Sequence, residues 1–86
     1  MNTFKLIVSS PDGNIFEDEI VKASMRGSEG DFAILAGHIP FITSVKKGDC
    51  KITMADGSEK IGILDGGVLS VSDTHASLLS GSFRWK

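Results

Sequence analysis

The residues that could do chemistry in this sequence are few: two histidines, one cysteine and scattered carboxylates. His38 and His75 are far apart along the chain, and Cys50 alternates with Ile52 and Met54 in a pattern that predicts an inward-facing strand. A zinc site needs three or four such ligands, usually at short spacings such as Cys-x-x-Cys. The sequence therefore disfavours a metal site, and Cys50 is interpreted as a small core residue.

Two glycine-rich stretches match functional loops only in part. Residues 27–30 read GSEG, which lacks the spacing of a serine nucleophile elbow, and no lysine closes the stretch 27–37 as a phosphate-binding loop requires. Aspartates directly before glycine are typical of tight turns, and no calcium-loop spacing surrounds them. These aspartates are Asp12, Asp56 and Asp65. None of these motifs predicts catalysis.

His38 stands in a Gly-His-Ile-Pro segment between two apolar runs. Pro40 fixes its own backbone and biases Ile39 towards an extended conformation, so the segment is predicted to be a shaped loop. An exposed loop histidine is the simplest interpretation, because loops lie at the surface. A contact residue at a protein interface is the second, and catalysis the third, since no acid, base or nucleophile is placed to work with it.

Composition and length limit the class of protein. With 86 residues the chain is predicted to be a single domain, 1–86, and its formal net charge of −2 without a basic stripe excludes a nucleic-acid footprint. No window approaches the roughly 20 apolar residues that cross a bilayer, so no membrane insertion is expected. The first residues do not resemble a secretory signal, and Cys50 has no partner for a disulfide, which favours a cytoplasmic setting.

The elements that would position these residues are strands. Short segments of alternating apolar and polar residues are separated by turn residues, and no apolar pattern of helical period extends over three turns. The sequence predicts an all-β fold, a small β-sandwich or flattened barrel of about nine or ten short strands. The sharpest hairpin signal is Asp56-Gly57, for which a type I′ turn is expected. Two adjacent strands are expected within 14–25, and none is expected after the segment HASLLS.

Residues 27–43 read GSEGDFAILAGHIPFIT, and residues 66–71 read GGVLSV. Together these strings closely resemble the epsilon subunit of F-type ATP synthases, in which an acidic GSEGE-like turn leads through a short strand to PGHAPLLT, and a GG-led strand follows later. The spacing matches without a gap, and the likeness covers essentially the whole chain. The family usually has proline where Ala36 stands, which changes the entry into the loop.

The resemblance implies a non-catalytic rotor subunit at the foot of the central stalk, which joins the gamma subunit to the polar loops of the membrane c-ring. Its place would be peripheral, at the cytoplasmic face of the bacterial plasma membrane, and its process ATP synthesis coupled to proton or sodium transport. No cofactor is implied. By position in the motif, the expected c-ring interface is Ser28, Glu29, Gly30 and Asp31. The expected gamma-subunit interface is Ser10, His38 and Thr43.

Family members usually continue into two helices that regulate the enzyme and in some bacteria bind ATP, whereas this sequence stops at SGSFRWK. It is expected to be a naturally short or a trimmed form, and no nucleotide is expected to bind. Two rival functions remain from the residues alone: a stand-alone β-sandwich ligand-binding module, and a small hydrolase or metalloenzyme. The first lacks a row of exposed aromatic residues, and the second lacks ligands.

Overall fold

The computed structural model describes residues 2–37 and 39–86. In this part of the chain the structure is all strands and turns, and nothing helical in it could span a bilayer. The strands are β1 (Phe4–Ser10), β2 (Gly13–Gly27), β3 (Gly30–Leu35), β4 (Phe41–Val45), β5 (Gly48–Met54), β6 (Glu59–Leu64), β7 (Gly67–Val71), β8 (His75–Leu79) and β9 (Phe83–Trp85). The prediction of a β-sandwich is confirmed.

The long strand β2 belongs to both layers of the sandwich. Its first half pairs with β1, and its second half, after a register shift between Ile20 and Lys22, pairs with β3 and β5. The first layer is therefore β4, β7, β8, β1 and the start of β2, with β1 and β8 parallel. The second layer is β3, the end of β2, β5, β6 and β9. A shared strand of this kind holds the two layers in a fixed relation.

The core lies between the two layers and is built from alternate residues of nearly every strand. Side chains of the first layer such as Leu6 and Leu78 are fully buried, as are Ile20 of β2 and Ile52 and Cys50 of the second layer. The alternation follows the period of two that the sequence predicts. Cys50 is thus a core residue, as expected, whereas its neighbours on each side along β5 are exposed.

The described residues form nine strands, as predicted, but two of the predicted strand assignments are wrong. The two strands expected within 14–25 form one continuous strand, because β2 bends from one layer into the other without leaving extended backbone. Strand β9 was not expected, and it is anchored by aromatic contacts: the Trp85 ring lies 5.1 Å from Phe83 and 5.6 Å from Phe16, both edge-on. Phe83 also covers Gly62, where a Cβ would collide with its ring.

The hairpin between β5 and β6 forms as expected, but its turn is not type I′. Asp56 does not take a positive φ, and only Gly57 does, at 90°. The Gly57 N–H donates to the Met54 carbonyl, and the Asp56 carboxylate accepts from the Ser58 N–H and hydroxyl at 2.9 and 2.6 Å. These hydrogen bonds hold the pKa of Asp56 below its usual value. The Asp56 side chain therefore stabilises this turn, and only Gly57 takes a positive φ, so the turn differs from the expected two-residue type I′ turn.

Candidate functional site

The expected c-ring interface is one contiguous, exposed turn at the end of the β2–β3 hairpin. Ser28 and Glu29 form its tip, and Gly27 pairs with Gly30 at its base. Gly30 has φ 127°, a conformation that other residues rarely adopt. A Cβ on Gly27 would come 2.9 Å from the Phe32 ring, so both glycines are required locally. Residues 28–31, called the acidic turn below, are therefore held together by the hairpin.

The two carboxylates of the acidic turn have different surroundings. Asp31 lies opposite Arg26 across the β2–β3 ladder, with 3.6 Å between Arg26 Nε and Asp31 Oδ1. Arg26 also lies over Gly48, where its side chain would be within 3.9 Å of a Cβ. Glu29 makes no ion pair or hydrogen bond with any described residue. Glu29 is thus the carboxylate of this turn that is open to a partner, while Asp31 is partly neutralised.

The residues expected to face gamma are not gathered at one point. Ser10 ends β1, and its hydroxyl accepts from the Asp12 N–H and donates to the Gly13 carbonyl, which closes the β1–β2 turn. Thr43 is half-buried on β4, in register with the buried Leu69. Their strands, β1 and β4, belong to the same layer but are separated by β8 and β7. This is a distance of three strand spacings, or about 14 Å. His38 lies outside the described residues.

Between those two strands the first layer presents a surface that the sequence reasoning missed. We call it the uncharged face; it consists of Ile42, Ser44, Val68, Ser70, Ser77 and Leu79. These residues occupy the outward register of three neighbouring strands, β4, β7 and β8. Its aliphatic members are 74%, 48% and 52% exposed for Ile42, Val68 and Leu79. The signal was present in the sequence, because the outward positions of FITSV, GVLSV and HASLL are all serine or aliphatic apart from the terminal histidine.

The outer side of the second layer has the opposite character. We call it the ion-paired face; its charged members are Lys22, Arg26, Asp31, Asp49, Lys51, Glu59 and Arg84. Lys51 Nζ lies 3.3 Å from Glu59 Oε2, and Lys86 Nζ lies 3.2 Å from Asp49 Oδ2. Together with the Arg26–Asp31 pair, these contacts give this surface three ion pairs among the described residues, and its aliphatic members Leu35 and Ile61 are 52% and 36% exposed. A shallow cleft lined by Arg26, Asp31, Asp49 and Lys51 is part of it.

Cys50 and His75, the described residues among those first considered for chemistry, have structural roles. Burial raises the pKa of the Cys50 thiol to about 11, so it is neutral and shielded at physiological pH. His75 Nδ1 lies 3.0 Å from the Ser72 hydroxyl and 3.2 Å from that of Thr74, contacts that stabilise the β7–β8 turn. Among residues 2–37 and 39–86 there is no group of three or more potential metal ligands.

Comparisons with known proteins agree on one family. Residues 3–86 match the family model described as ATP synthase, Delta/Epsilon chain, beta-sandwich domain. A relative from Acetobacterium woodii, the ATP synthase epsilon chain, sodium ion specific, is 37% identical over 83 residues, which are 96% of this chain.

Solved structures share the fold at low sequence identity. A chain of the Euglena gracilis mitochondrial ATP synthase superposes with a TM-score of 0.91 at 20% identity over 96% of this chain. A chain of the Tetrahymena thermophila mitochondrial ATP synthase, from its central stalk and c-ring, gives 0.80 at 10% identity, again over 96%. The present chain spans 62% of the A. woodii relative and 53% and 66% of these two structures.

Proposed function

Because this chain belongs to the family of ATP synthase delta/epsilon chain β-sandwich domains, we propose that it is the sandwich part of a central-stalk subunit that joins gamma to the c-ring. In this role it has no catalytic site of its own and transmits torque between ion flow and ATP synthesis. The observation that carries the proposal is the family match over residues 3–86. The uncharged face and the acidic turn support it, since a coupling part needs two contact surfaces.

The gamma subunit is proposed to bind the uncharged face. Exposed aliphatic side chains on three adjacent strands, without a charge to desolvate, are suited to a stable protein contact. Ser10 lies on β1, which pairs with β8 beside this face, and Thr43 lies on β4 in register with the buried Leu69, so both are proposed as gamma contacts at its rim. His38, which precedes β4 in the sequence, is proposed to belong to the same rim.

The polar loops of the c-ring are proposed to contact the acidic turn, with Ser28, Glu29, Gly30 and Asp31 as its members. Strand pairing connects Gly27 to Val45 and Val45 to Gly67, so the β4–β5 and β6–β7 turns lie at the same end of the sandwich. Glu29 is exposed there without a partner among the described residues. A free carboxylate on a rigid hairpin can complement basic or amide groups on ring loops.

The proposed location is peripheral, beside the membrane that holds the ring, and on its cytoplasmic face in a bacterium. One relative is named as sodium ion specific. The proposed role is the same for protons and for sodium, because the ion ligands would lie in the ring rather than in this domain.

Binding to gamma tests the proposal directly. Purified chain should form a stoichiometric complex with recombinant gamma on size exclusion, and the complex should then retain c-rings in detergent. The chain alone should retain c-rings more weakly, since it offers only the acidic turn. Absence of a complex with gamma under conditions where an established epsilon chain binds would contradict the proposed function.

A further inference from the structure

Strand β4 has an open edge. On one side it pairs along its whole length with β7, from Phe41 opposite Val71 to Val45 opposite Gly67. On its other side, pairing with β2 is confined to Val45 opposite Gly27, together with the Lys46 N–H that donates to the Arg26 carbonyl at 2.7 Å. Within residues 2–37 and 39–86, no strand pairs with the rest of β4 on that side.

The direction of the free backbone groups follows from that contact. In an antiparallel ladder the N–H and C=O of one residue point to the same side, and successive residues alternate. Because Lys46 donates towards β2, Ser44 and Ile42 also direct their backbone groups to that side. Thr43 directs its own to β7. Ile42 therefore presents an N–H, a C=O and a 74% exposed side chain at the open edge.

This edge lacks most of the features by which sheets usually block further pairing. Charged side chains, bulges, proline and very short edge strands are the common protections, and of these only a proline, Pro40 directly before β4, is found here. The edge strand β9 has three residues and is followed by Lys86, and β3 carries Asp31. Strand β4 has the sequence FITSV, with no charge, and the preceding Ile39 is 76% exposed.

We propose that the edge of β4 accepts an extended segment of the gamma subunit, which adds a strand to the first layer beside the uncharged face. The inference rests on the proposed function and adds the mode of binding. A row of alternating donors and acceptors is matched by another strand. The segment should be uncharged, with small or β-branched side chains, because a charge placed beside Ile42 and Ser44 would be desolvated without an opposite charge on the uncharged face.

Substitutions at Ile42 separate the contribution of the backbone N–H to gamma binding from that of the side chain. Ile42→Ala removes the side chain and keeps the N–H, whereas Ile42→Pro removes both and puts a ring into the edge. Proline is tolerated where the N–H of an edge strand faces solvent, so both variants should fold. We expect Ile42→Pro to bind gamma at least about tenfold more weakly than Ile42→Ala, because it lacks one backbone donor and its ring blocks the edge.

Hydrogen exchange on the unmodified chain gives a second measurement that needs no variant. The Ile42 amide should exchange at least about tenfold more slowly in the gamma complex than in the free chain. The Thr43 amide, which is already bonded to β7, should change little. If gamma binds but the Ile42 amide is not slowed and the proline and alanine variants bind alike, strand addition is wrong while the proposed function stands. If gamma does not bind the unmodified chain, both are wrong.

Discussion

The outer sides of the two layers are built on the same backbone pattern but differ in charge. Among the described residues, the first layer has the uncharged face on β4, β7 and β8, with the Lys5–Glu17 pair at 3.5 Å beside it, and the second layer has three ion pairs. On the ion-paired face, outward positions of neighbouring strands hold opposite charges, such as Lys51 and Glu59 at 3.3 Å. On the uncharged face, the outward positions pair serine and aliphatic residues with one another, as Ile42 with Ser70 and Val68 with Leu79. The inner sides of both layers are equally apolar. The difference between the faces therefore does not arise from the packing of the core.

The physical reason is the cost of removing charges from water. A surface pair of opposite charges gains little in free energy, but drying it in an interface costs several kcal/mol unless the partner replaces the lost hydration. Aliphatic side chains gain free energy when they are removed from water, and a serine hydroxyl loses little if it keeps a hydrogen bond. A protein with one face of each kind is biased to dock through the uncharged face and to keep the other in solvent.

Matched lysine substitutions on the two faces should give the largest difference in affinity for gamma. Val68→Lys places a charge at the centre of the uncharged face, and Ile61→Lys places one on the ion-paired face at a comparable exposed aliphatic position. We expect the first to weaken gamma binding by at least about 30-fold, about 2 kcal/mol, as for a central hot-spot residue. The second should change it less than about threefold. The measurement is titration of labelled gamma.

Thermal unfolding of both lysine variants serves as the control, since neither side chain enters the core. Equal losses of gamma affinity at the two positions would show that the uncharged face is not the docking surface.

The contribution of the core side of the second layer to stability can be tested through Cys50, the one cysteine of the sequence. Burial raises the pKa of Cys50 from 9.0 to about 11, so the unfolded chain ionises this thiol first. Stability from the buried neutral thiol is complete below pH 9 and is lost as the pH rises from 9 to 11. The loss should reach about 1 kcal/mol by pH 10, because one unit of pKa is about 1.4 kcal/mol.

The measurement is the free energy of unfolding in urea between pH 8 and about pH 10.5. Cys50→Ala should start from a lower stability and lose less of it across that range. Parallel curves for the two proteins would mean that the thiol does not control the alkaline slope.

A smaller effect is expected at the acidic turn, where the two faces meet. Glu29→Lys reverses an unpaired charge, whereas Asp31→Lys reverses one that Arg26 already offsets. Exposed charge contacts contribute about 0.5 to 1 kcal/mol, so Glu29→Lys should weaken retention of the c-ring two- to fivefold, and Asp31→Lys less. Both variants should bind gamma normally. Ion-driven ATP synthesis by the reconstituted double variant should fall, and a double variant that couples like the parent would exclude this turn as the contact.

Much of this fold could be predicted from the sequence because its signal is local. Alternation predicts strands, and Asp-Gly predicts a hairpin. Local patterns could not show that β2 serves both layers, since a bend in extended backbone leaves the alternation nearly intact. Nor could they show β9, whose three residues carry no period and depend on contacts of Trp85 with Phe16 and Phe83.

The site was predictable to a similar degree. The acidic turn is contiguous in sequence, so its four residues are together as expected. The pairing of Arg26 with Asp31 depends on strand register, and the uncharged face depends on the order β4, β7 and β8 in the sheet. Neither follows from one segment alone. The sequence alone does show that successive outward positions of these three strands carry no charge.

The smallest expected effect concerns the ion pairs themselves. Lys51 and Glu59 are both about half exposed, with side-chain exposures of 50% and 48%, and lie 3.3 Å apart. In a double-mutant cycle with Lys51→Ala and Glu59→Ala, the coupling energy should be no more than about 0.5 kcal/mol and should decrease with added salt. Gamma affinity should not change in either variant. A coupling near 2 kcal/mol that persists in high salt would mean that its ion pairs stabilise this face. The proposal that the uncharged face binds a partner while the ion-paired face stays in solvent would then lose its physical basis.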